Sequence, residues 1–412
     1  MSFFSIGEMK IISPMSDSAS VKRRRVMAGS SPTVNRWVSY PLQAVCYAAF
    51  IAVVGYFATS PPYTHLPEGE ALDHAAQAAG TSPANLVGLL VAMGKETAGA
   101  LRVTLADDGA ASLVAAESAD SLREITPRQL SQRIRERENQ PFSVWDGKVR
   151  LSIAGYQDKI AVYEREGKWY LVEGSRLAST VIVKPVPMRK QLASLPANEH
   201  MCMQLARRVG LKAAETRLIH VPEPVLMVRR FDRIEHDDGV KRLHIVDGCQ
   251  ALGLAVSMKY ERAYGDAKDV AHIREGVSLP KLFGLLEQSP VPAVDKRALL
   301  RWAIFQVLIG NTDAHGKNVS FYCDEQGLRL APAYDMVCME ALDAGFPDTY
   351  AMAVGAREGV DAEVGLLLGA AGRLGIGRRE DRPLDPARGR ELQRGAVAEA
   401  DMRVRLVAVL RG

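Results

Sequence analysis

Asp313 and Asn318 lie five positions apart in Gly310-Asn311-Thr312-Asp313-Ala314-His315-Gly316-Lys317-Asn318, directly after a long apolar stretch. An aspartate and an asparagine at this spacing suit phosphoryl transfer, the carboxylate accepting the proton of an acceptor hydroxyl and the amide oxygen helping to hold Mg²⁺ beside the phosphates of ATP. Alone the pair is weak, because a polar turn after a helix has the same composition. The residues that follow make it more specific. VSFYC, the turn DEQG and LRLAP read as a β-hairpin whose far end delivers Tyr334 and Asp335. Asn318 and Asp335 would then converge on one Mg²⁺ from the same side of the nucleotide. Upstream, Val181-Ile182-Val183-Lys184 reads as a strand whose lysine reaches the α and β phosphates, and Glu199 in the next helix is placed to pair with it. Taken singly, Lys184 is equally a solvated strand end and Glu199 an acid favoured by a helix N-terminus. Their serial order decides between these readings.

The elements needed to hold these groups are visible on either side. VRLSIAGYQDKIAVYEREGKWYLVEG alternates apolar and polar residues around Glu166-Gly167 and reads as a hairpin. STVIVKP, AETRLIHV and PVLMVRRFDR add three strands. Between them PANEHMCMQLARRVGL is a helix that starts at Pro196 or Asn198, ends at Gly210 and turns Met201, Leu205 and Val209 to one face. From His244 the chain becomes helical, most clearly in KRALLRWAIFQVLIGN, where Leu299, Trp302, Ile304, Phe305, Leu308 and Ile309 predict a buried helix. Strand lysine, helix glutamate, further strands, helical lobe, D-x-x-x-x-N, hairpin and Asp335 is the layout of an α+β, bilobal protein-kinase-like fold. It predicts a small antiparallel sheet lobe and a mostly helical lobe, preceded by an N-terminal subdomain.

Boundaries follow from composition. Residues 1–36 read as a basic, unstructured tail, 37–120 as the N-terminal subdomain, 121–140 as a connector, 141–235 as the sheet lobe, 236–354 as the helical lobe and 355–412 as an Arg/Gly-rich tail. In the subdomain EALDHAAQAAG and SPANLVGLLVAMG have helical spacing, with Ser82 before Pro83 as a helix cap. The connector SLREITPRQLSQRIRERENQ is strongly polar, with Thr126-Pro127 as a helix start; its basic run Arg128 to Arg137 reads as a solvated helix face. Lys22-Arg23-Arg24-Arg25 and Arg36 precede 31 residues free of Asp, Glu, Lys and Arg, including the apolar run Leu42 to Ala58. A basic flank before such a run is the pattern of a signal anchor. At 17 residues, against about 20 needed to span a bilayer, it reads more readily as a buried helix.

The whole chain of 412 residues carries 52 basic and 48 acidic side chains, a net charge of +4 too balanced for nucleic-acid binding by charge alone. Cys46, Cys202, Cys249, Cys323 and Cys338 form no CxxC pair, which argues against a disulfide framework or zinc site and for a cytoplasmic protein.

No G-x-G-x-x-G loop precedes the first hairpin; Ser152-Ile153-Ala154-Gly155-Tyr156-Gln157-Asp158-Lys159 stands there instead. This segment, with ANEH, RRFDR, DGCQALG, GNTDAHGKNVSFY and APAYD, closely resembles the HipA family of serine/threonine kinases, the toxin half of HipBA-type toxin–antitoxin modules. The resemblance runs from about Val149 to Val354, and LPEGE with VGLLVAMGKETAGALRV extends it across the N-terminal subdomain. It implies an ATP- and Mg²⁺-dependent kinase with Asp313 as catalytic base, Asn318 and Asp335 as metal ligands, and Lys184 with Glu199 at the phosphates. Gly155, Gln157, Lys159, Gln250, His315, Lys317 and Tyr334 fall at nucleotide contacts, and backbone groups around Arg229, Arg230 and Phe231 would hold adenine. Ser152 occupies the position that family members autophosphorylate, which ejects the phosphate-binding loop; a phosphoserine there would repel the phosphates of ATP. The implied partners are a helix-turn-helix antitoxin of the HipB type that carries the kinase to operator DNA, and protein substrates that include aminoacyl-tRNA synthetases. Met1 to Thr64 and the segment after Val354 depart from the family pattern, as the ends of a frameshifted or degraded gene would. Two alternatives stand beside the kinase: a non-catalytic module that only engages its antitoxin, and a membrane-anchored kinase using Leu42 to Ala58.

Overall fold

The computed structural model describes residues 2–6, 9–13, 70–85, 88–89, 96–105, 120–150, 157–174, 176–342, 345–346, 349–354 and 357–359. Ser152, Gly155, the apolar run 42–58 and the tail from residue 360 lie outside the described residues. Strands β1 (Ser2–Ile6) and β2 (Met9–Ser13) form an antiparallel hairpin, Ile6 opposite Met9. Helix α1 (Glu70–Ala78) follows, and β3 (Arg102–Leu105) pairs with β2, Leu105 opposite Met9. The expectation of an unstructured tail over 1–36 therefore fails for its first residues. SFFSI and MKIIS are short runs of aromatic and β-branched residues on either side of Gly7-Glu8, a strand signal outweighed in the sequence by the basic stretch that follows.

The segment expected as a connector belongs to the sheet lobe. Strand β4 (Ser121–Ile125) is an edge strand of its sheet, with Ile125 buried, Glu124 exposed and Arg123 half-buried over Trp145 and paired with Asp146, so the segment looks polar in sequence. Helix α2 (Pro127–Arg135) starts where the sequence predicts: Thr126 Oγ1 accepts from the Gln129 N–H at 3.2 Å while Gln129 Oε1 accepts from the Thr126 N–H at 3.0 Å. Short strands β5 (Val144–Trp145) and β6 (Lys148–Val149) lead to β7 (Ile160–Arg165) and β8 (Lys168–Glu173). The predicted turn between the last two holds Glu166 and Gly167 at φ 52° and 75°, as a two-residue hairpin turn requires. Then come β9 (Val181–Pro185), α3 (Leu195–Arg208), β10 (Thr216–His220) and β11 (Pro224–Arg229). The six-stranded sheet has the order β10-β11-β9-β7-β8-β4.

Successive residues of a strand point to opposite faces, and β11 shows what each face meets. Val225 and Met227 join Leu130 and Ile134 of α2, with Phe142 and Trp145, whereas Leu226 and Val228 join Cys202, Met203 and Ala206 of α3. The stripe expected on α3 is displaced: Met201 and Val209 are 39% and 49% exposed, and the buried face carries Asn198 and Glu199 beside Cys202, Met203 and Ala206. A hydrophobic pattern cannot mark a face that buries polar side chains for a purpose other than packing.

The second lobe holds β12 (Arg233–His236), β13 (Gly239–Arg242), β14 (Ile245–Asp247), α4 (Gly248–Ala251), α5 (Leu279–Leu285) and α6 (Pro292–Leu308). The hairpin β15 (Ser320–Asp324) and β16 (Gly327–Leu330) extends β14 into a three-stranded sheet, and β17 (Thr349–Val354) follows. On α6, Leu299, Trp302 and Phe305 are buried as predicted, in one core with Leu282, Phe321 and Met336. Among the described residues the cysteines Cys202, Cys249, Cys323 and Cys338 are free, and no helix is long and apolar enough to cross a membrane.

Candidate active site

The two lobes enclose a cleft of about 1010 Å³. Every expected site residue that is described lines it: Gln157, Lys159, Lys184, Glu199, Arg229, Arg230, Phe231, Gln250, Asp313, His315, Lys317, Asn318, Tyr334 and Asp335.

Strand β9 lies between β7 and β11, so Lys184 near its end is buried. Its Nζ donates to Glu199 Oε1 and Oε2 at 2.8 and 3.0 Å and to Asp335 Oδ1 at 2.6 Å. Burial would pull the ammonium down, but Asp335 and Glu199 together hold it well above its ordinary value. Burial pushes Glu199 up to about 7 against the pull of Lys184. For Asp335 burial is outweighed by Lys184 and Lys159, which hold it at about 2. The backbone of Asp335 sits at φ 55°, a left-handed conformation that costs a non-glycine residue energy. Two anchors impose it. On one side Ala333 bonds to Lys212 and Ala214 across a parallel bridge, and on the other Asn198 grips Cys338, its Nδ2 on the carbonyl and its Oδ1 on the N–H, both at 2.9 Å. Since Asn198 precedes Glu199, one turn of α3 supplies the carboxylate and anchors the segment carrying Asp335.

Below, α6 stops at Gly310 (φ 63°) and the loop begins. Asn311 Oδ1 accepts from the Asp313 N–H at 3.2 Å, and Asn318 Nδ2 donates to the Asp313 carbonyl at 3.0 Å, so Asp and Asn are held as one unit. Lys317 Nζ bonds Asp247 Oδ2 at 2.8 Å. The same Asp247 caps α4, accepting from the Gln250 N–H at 2.9 Å, while the Gln250 side chain accepts from the Asp247 N–H at 2.8 Å. Tyr334 donates to the Lys317 carbonyl, lies 2.7 Å from Ser320 Oγ and tilts against Phe231 at 5.6 Å; burial pushes its phenol up. His315 is buried, and burial followed by the charge of Lys259 pulls it down to about 3, so its ring is neutral near pH 7.

The connection between lobes refines one expectation. The exposed Arg229 pairs with Glu235 at the rim. Arg230 offers the cleft no free side chain, because its guanidinium is 1% exposed and bonded to Asp232, Ser179 and the Thr97 carbonyl. Its N–H donates to the Thr180 carbonyl at 2.9 Å. Among the described residues no hydrogen bond reaches the Phe231 N–H, while the Phe231 carbonyl accepts from Tyr322 at 3.1 Å. The sequence reading missed Asp247, Asp232, Glu96 and Tyr260. Asp247 carried a signal, since Asp247-Gly248-Cys249-Gln250 is a capping box; Tyr260 carried none.

Residues 151–390 match the family model for the HipA-like C-terminal domain, and residues 38–104 match that for the HipA N-terminal domain. Both matches reach into the ends expected to depart from the family. The chain is 39% identical over 292 residues to the serine/threonine-protein kinase toxin HipA of Shewanella oneidensis, which covers 70% of this chain and 64% of that protein. It is 35% identical over 304 residues to Y4mE of Sinorhizobium fredii, covering 71% of this chain and 66% of that one. It thus spans just under two thirds of these relatives. The fold superposes on HipA in the solved Shewanella oneidensis complex of HipA, HipB and operator DNA with a TM-score of 0.69 and 32% identity, over 86% of this chain and 87% of that one.

Proposed function

The chain belongs to the HipA family, with its α+β kinase-like fold, and on that premise we propose that it is an ATP-dependent serine/threonine protein kinase. The observation that carries this reading is the convergence of Lys184, Glu199, Asp313, Asn318 and Asp335, from separate segments of the chain, on one cleft. ATP lies between the lobes, its adenine edge toward the Phe231 N–H and its phosphates toward Lys184. The ammonium, oriented by Glu199, offsets phosphate charge. Asp313 accepts the proton of the acceptor hydroxyl as that oxygen bonds to the γ-phosphorus; the bond from phosphorus to the β–γ bridging oxygen breaks, and ADP keeps the electron pair. A general base at this step contributes about 10²–10⁴-fold.

The donor set fits Mg²⁺. Asp335 offers a carboxylate, and because Asn318 Nδ2 is committed to the Asp313 carbonyl, the amide oxygen is the end left for a metal. Among the described residues no group of three His, Cys, Asp or Glu could hold a metal by itself, in keeping with an ion that takes its other ligands from phosphate and water. Asn318 and Asp335 would hold it, and it would neutralise charge on the phosphate oxygens.

The acceptors in this reading are Ser152 of the chain itself and a protein substrate of the aminoacyl-tRNA synthetase class. The solved complex of the Shewanella relative with HipB and operator DNA supports a helix-turn-helix antitoxin as partner. Peptide mass spectrometry after incubation with Mg-ATP tests the reading: one phosphate on Ser152 in the parent and none in Asp313→Asn is the expected result. A folded parent that binds ATP and stays unmodified would support the non-catalytic antitoxin-binding module instead.

A further inference from the structure

Tyr260 lies outside every motif of the sequence reading, just after the 3-10 turn Val256–Met258, yet its hydroxyl reaches the catalytic loop. Tyr260 Oη donates to Asp313 Oδ1 at 2.8 Å. The phenol is restrained by its neighbours. Its ring stands edge-on to His315, centroids 5.2 Å apart at 81°, and Lys259 Nζ lies 5.4 Å from its centroid.

The backbone that carries it is equally fixed. The Gly316 N–H donates to the Lys259 carbonyl at 2.9 Å, which ties the segment to the loop that holds Asp313. Glu261 bonds the Ala351 carbonyl through its own N–H at 2.9 Å, and its carboxylate takes the Ala353 N–H at 2.7 Å and Arg274 at 3.1 Å. Gly276 passes so close behind Tyr260 that a Cβ there would meet the Tyr260 carbonyl at 1.8 Å. A short segment bolted to the catalytic loop, to β17 and to residues 276–277 therefore aims one hydroxyl at one carboxylate.

We propose that Tyr260 is a positioning residue for Asp313: its hydrogen bond fixes the rotation of the carboxylate that accepts the proton of the acceptor hydroxyl. The proposal rests on the kinase reading above.

The test is the split between kcat and KM for phosphoryl transfer by Tyr260→Phe, which keeps the ring and its packing on His315. The expected result is a kcat about 10- to 100-fold lower, the range of a hydrogen bond to a charged group, with KM for ATP and melting temperature at parent values. Parent kcat overturns the proposal. A raised kcat also overturns it, by making Tyr260 a restraint on the base. A parent that transfers no phosphate overturns the kinase reading itself, and the proposal with it.

Discussion

Two clusters of buried charge line the same cleft and are built in opposite ways. At the connection between lobes, Arg230, Arg233 and Arg242 face Asp232 and Glu96, and the cluster closes on itself. Asp232 takes Arg230 and Arg233, each at 2.7 Å, and the Gly99 N–H at 2.7 Å, while Glu96 takes Arg242 at 3.0 Å and Ser179 at 2.6 Å. The Thr97 carbonyl accepts from both Arg230 and Arg233. Burial would raise Asp232, but Arg230 and then Arg233 hold it well below the usual carboxylate range. Burial and the like charge of Arg230 bring Arg233 down to about 9, still a cation at neutral pH. At the other end of the cleft a single Lys184 serves both Glu199 and Asp335, and the Asp335 side chain is 42% exposed. The difference is one of access: the closed cluster joins the N-terminal subdomain to the connection between lobes, whereas the open one turns the Asp335 carboxylate toward the cleft.

Substitutions can break this contrast. The largest effect is expected from Asp313→Asn, which should lower transfer by about 10²–10⁴-fold while changing stability by no more than about 0.5 kcal/mol, read from initial rates and urea unfolding of the same preparation. Asp232→Asn should do the reverse. It leaves Arg230 and Arg233 without their carboxylate, and removing one partner of a buried pair costs about 3–5 kcal/mol; unfolding midpoints check it. Lys184→Met should cost less stability than Asp232→Asn, because Glu199, already pushed up to about 7, takes a proton once its cation is gone.

A smaller effect sharpens the comparison through pH. Asp232 is held below its ordinary value of 3.8 in the fold, so its contribution is full above that value and is lost as pH falls toward the folded one. The parent should therefore lose stability as pH drops below about 4, and Asp232→Asn should show a shallower loss in the same denaturation series. The smallest effect is expected at the rim. Arg229→Ala removes only an exposed pair with Glu235, worth about 0–1 kcal/mol, and should leave KM for ATP unchanged in steady-state assays.

The open cluster was legible in the sequence and the closed one was not. Lys184, Glu199, Asp313, Asn318 and Asp335 each stand in a local pattern of strand, helix, loop or hairpin, and those patterns carry their own order. Arg230 and Asp232 also stand in a visible motif, RRFDR, but their partner Glu96 comes from the N-terminal subdomain, and a long-range ion pair leaves no periodicity in one chain. Strand β4 reads as a connector because an edge strand exposes Leu122 and Glu124 and leaves Arg123 half-buried over Trp145, so only Ile125 signals the core. The buried face of α3 was misread because Asn198 and Glu199 are there to grip Cys338 and Lys184, a reason no hydrophobic stripe records. Tyr260 was invisible for the same cause: its role is one hydrogen bond across a fold.

The most direct test of the contrast is the rate of γ-phosphoryl transfer from ATP by Lys184→Met, followed by intact mass on protein whose folding has been verified. The open cluster as a phosphate-binding end predicts a fall of about 10²-fold or more, the size expected when a preorganised charge is lost. Transfer at the parent rate would contradict it, and would make Lys184, Glu199 and Asp335 a second closed cluster that only holds the lobes together.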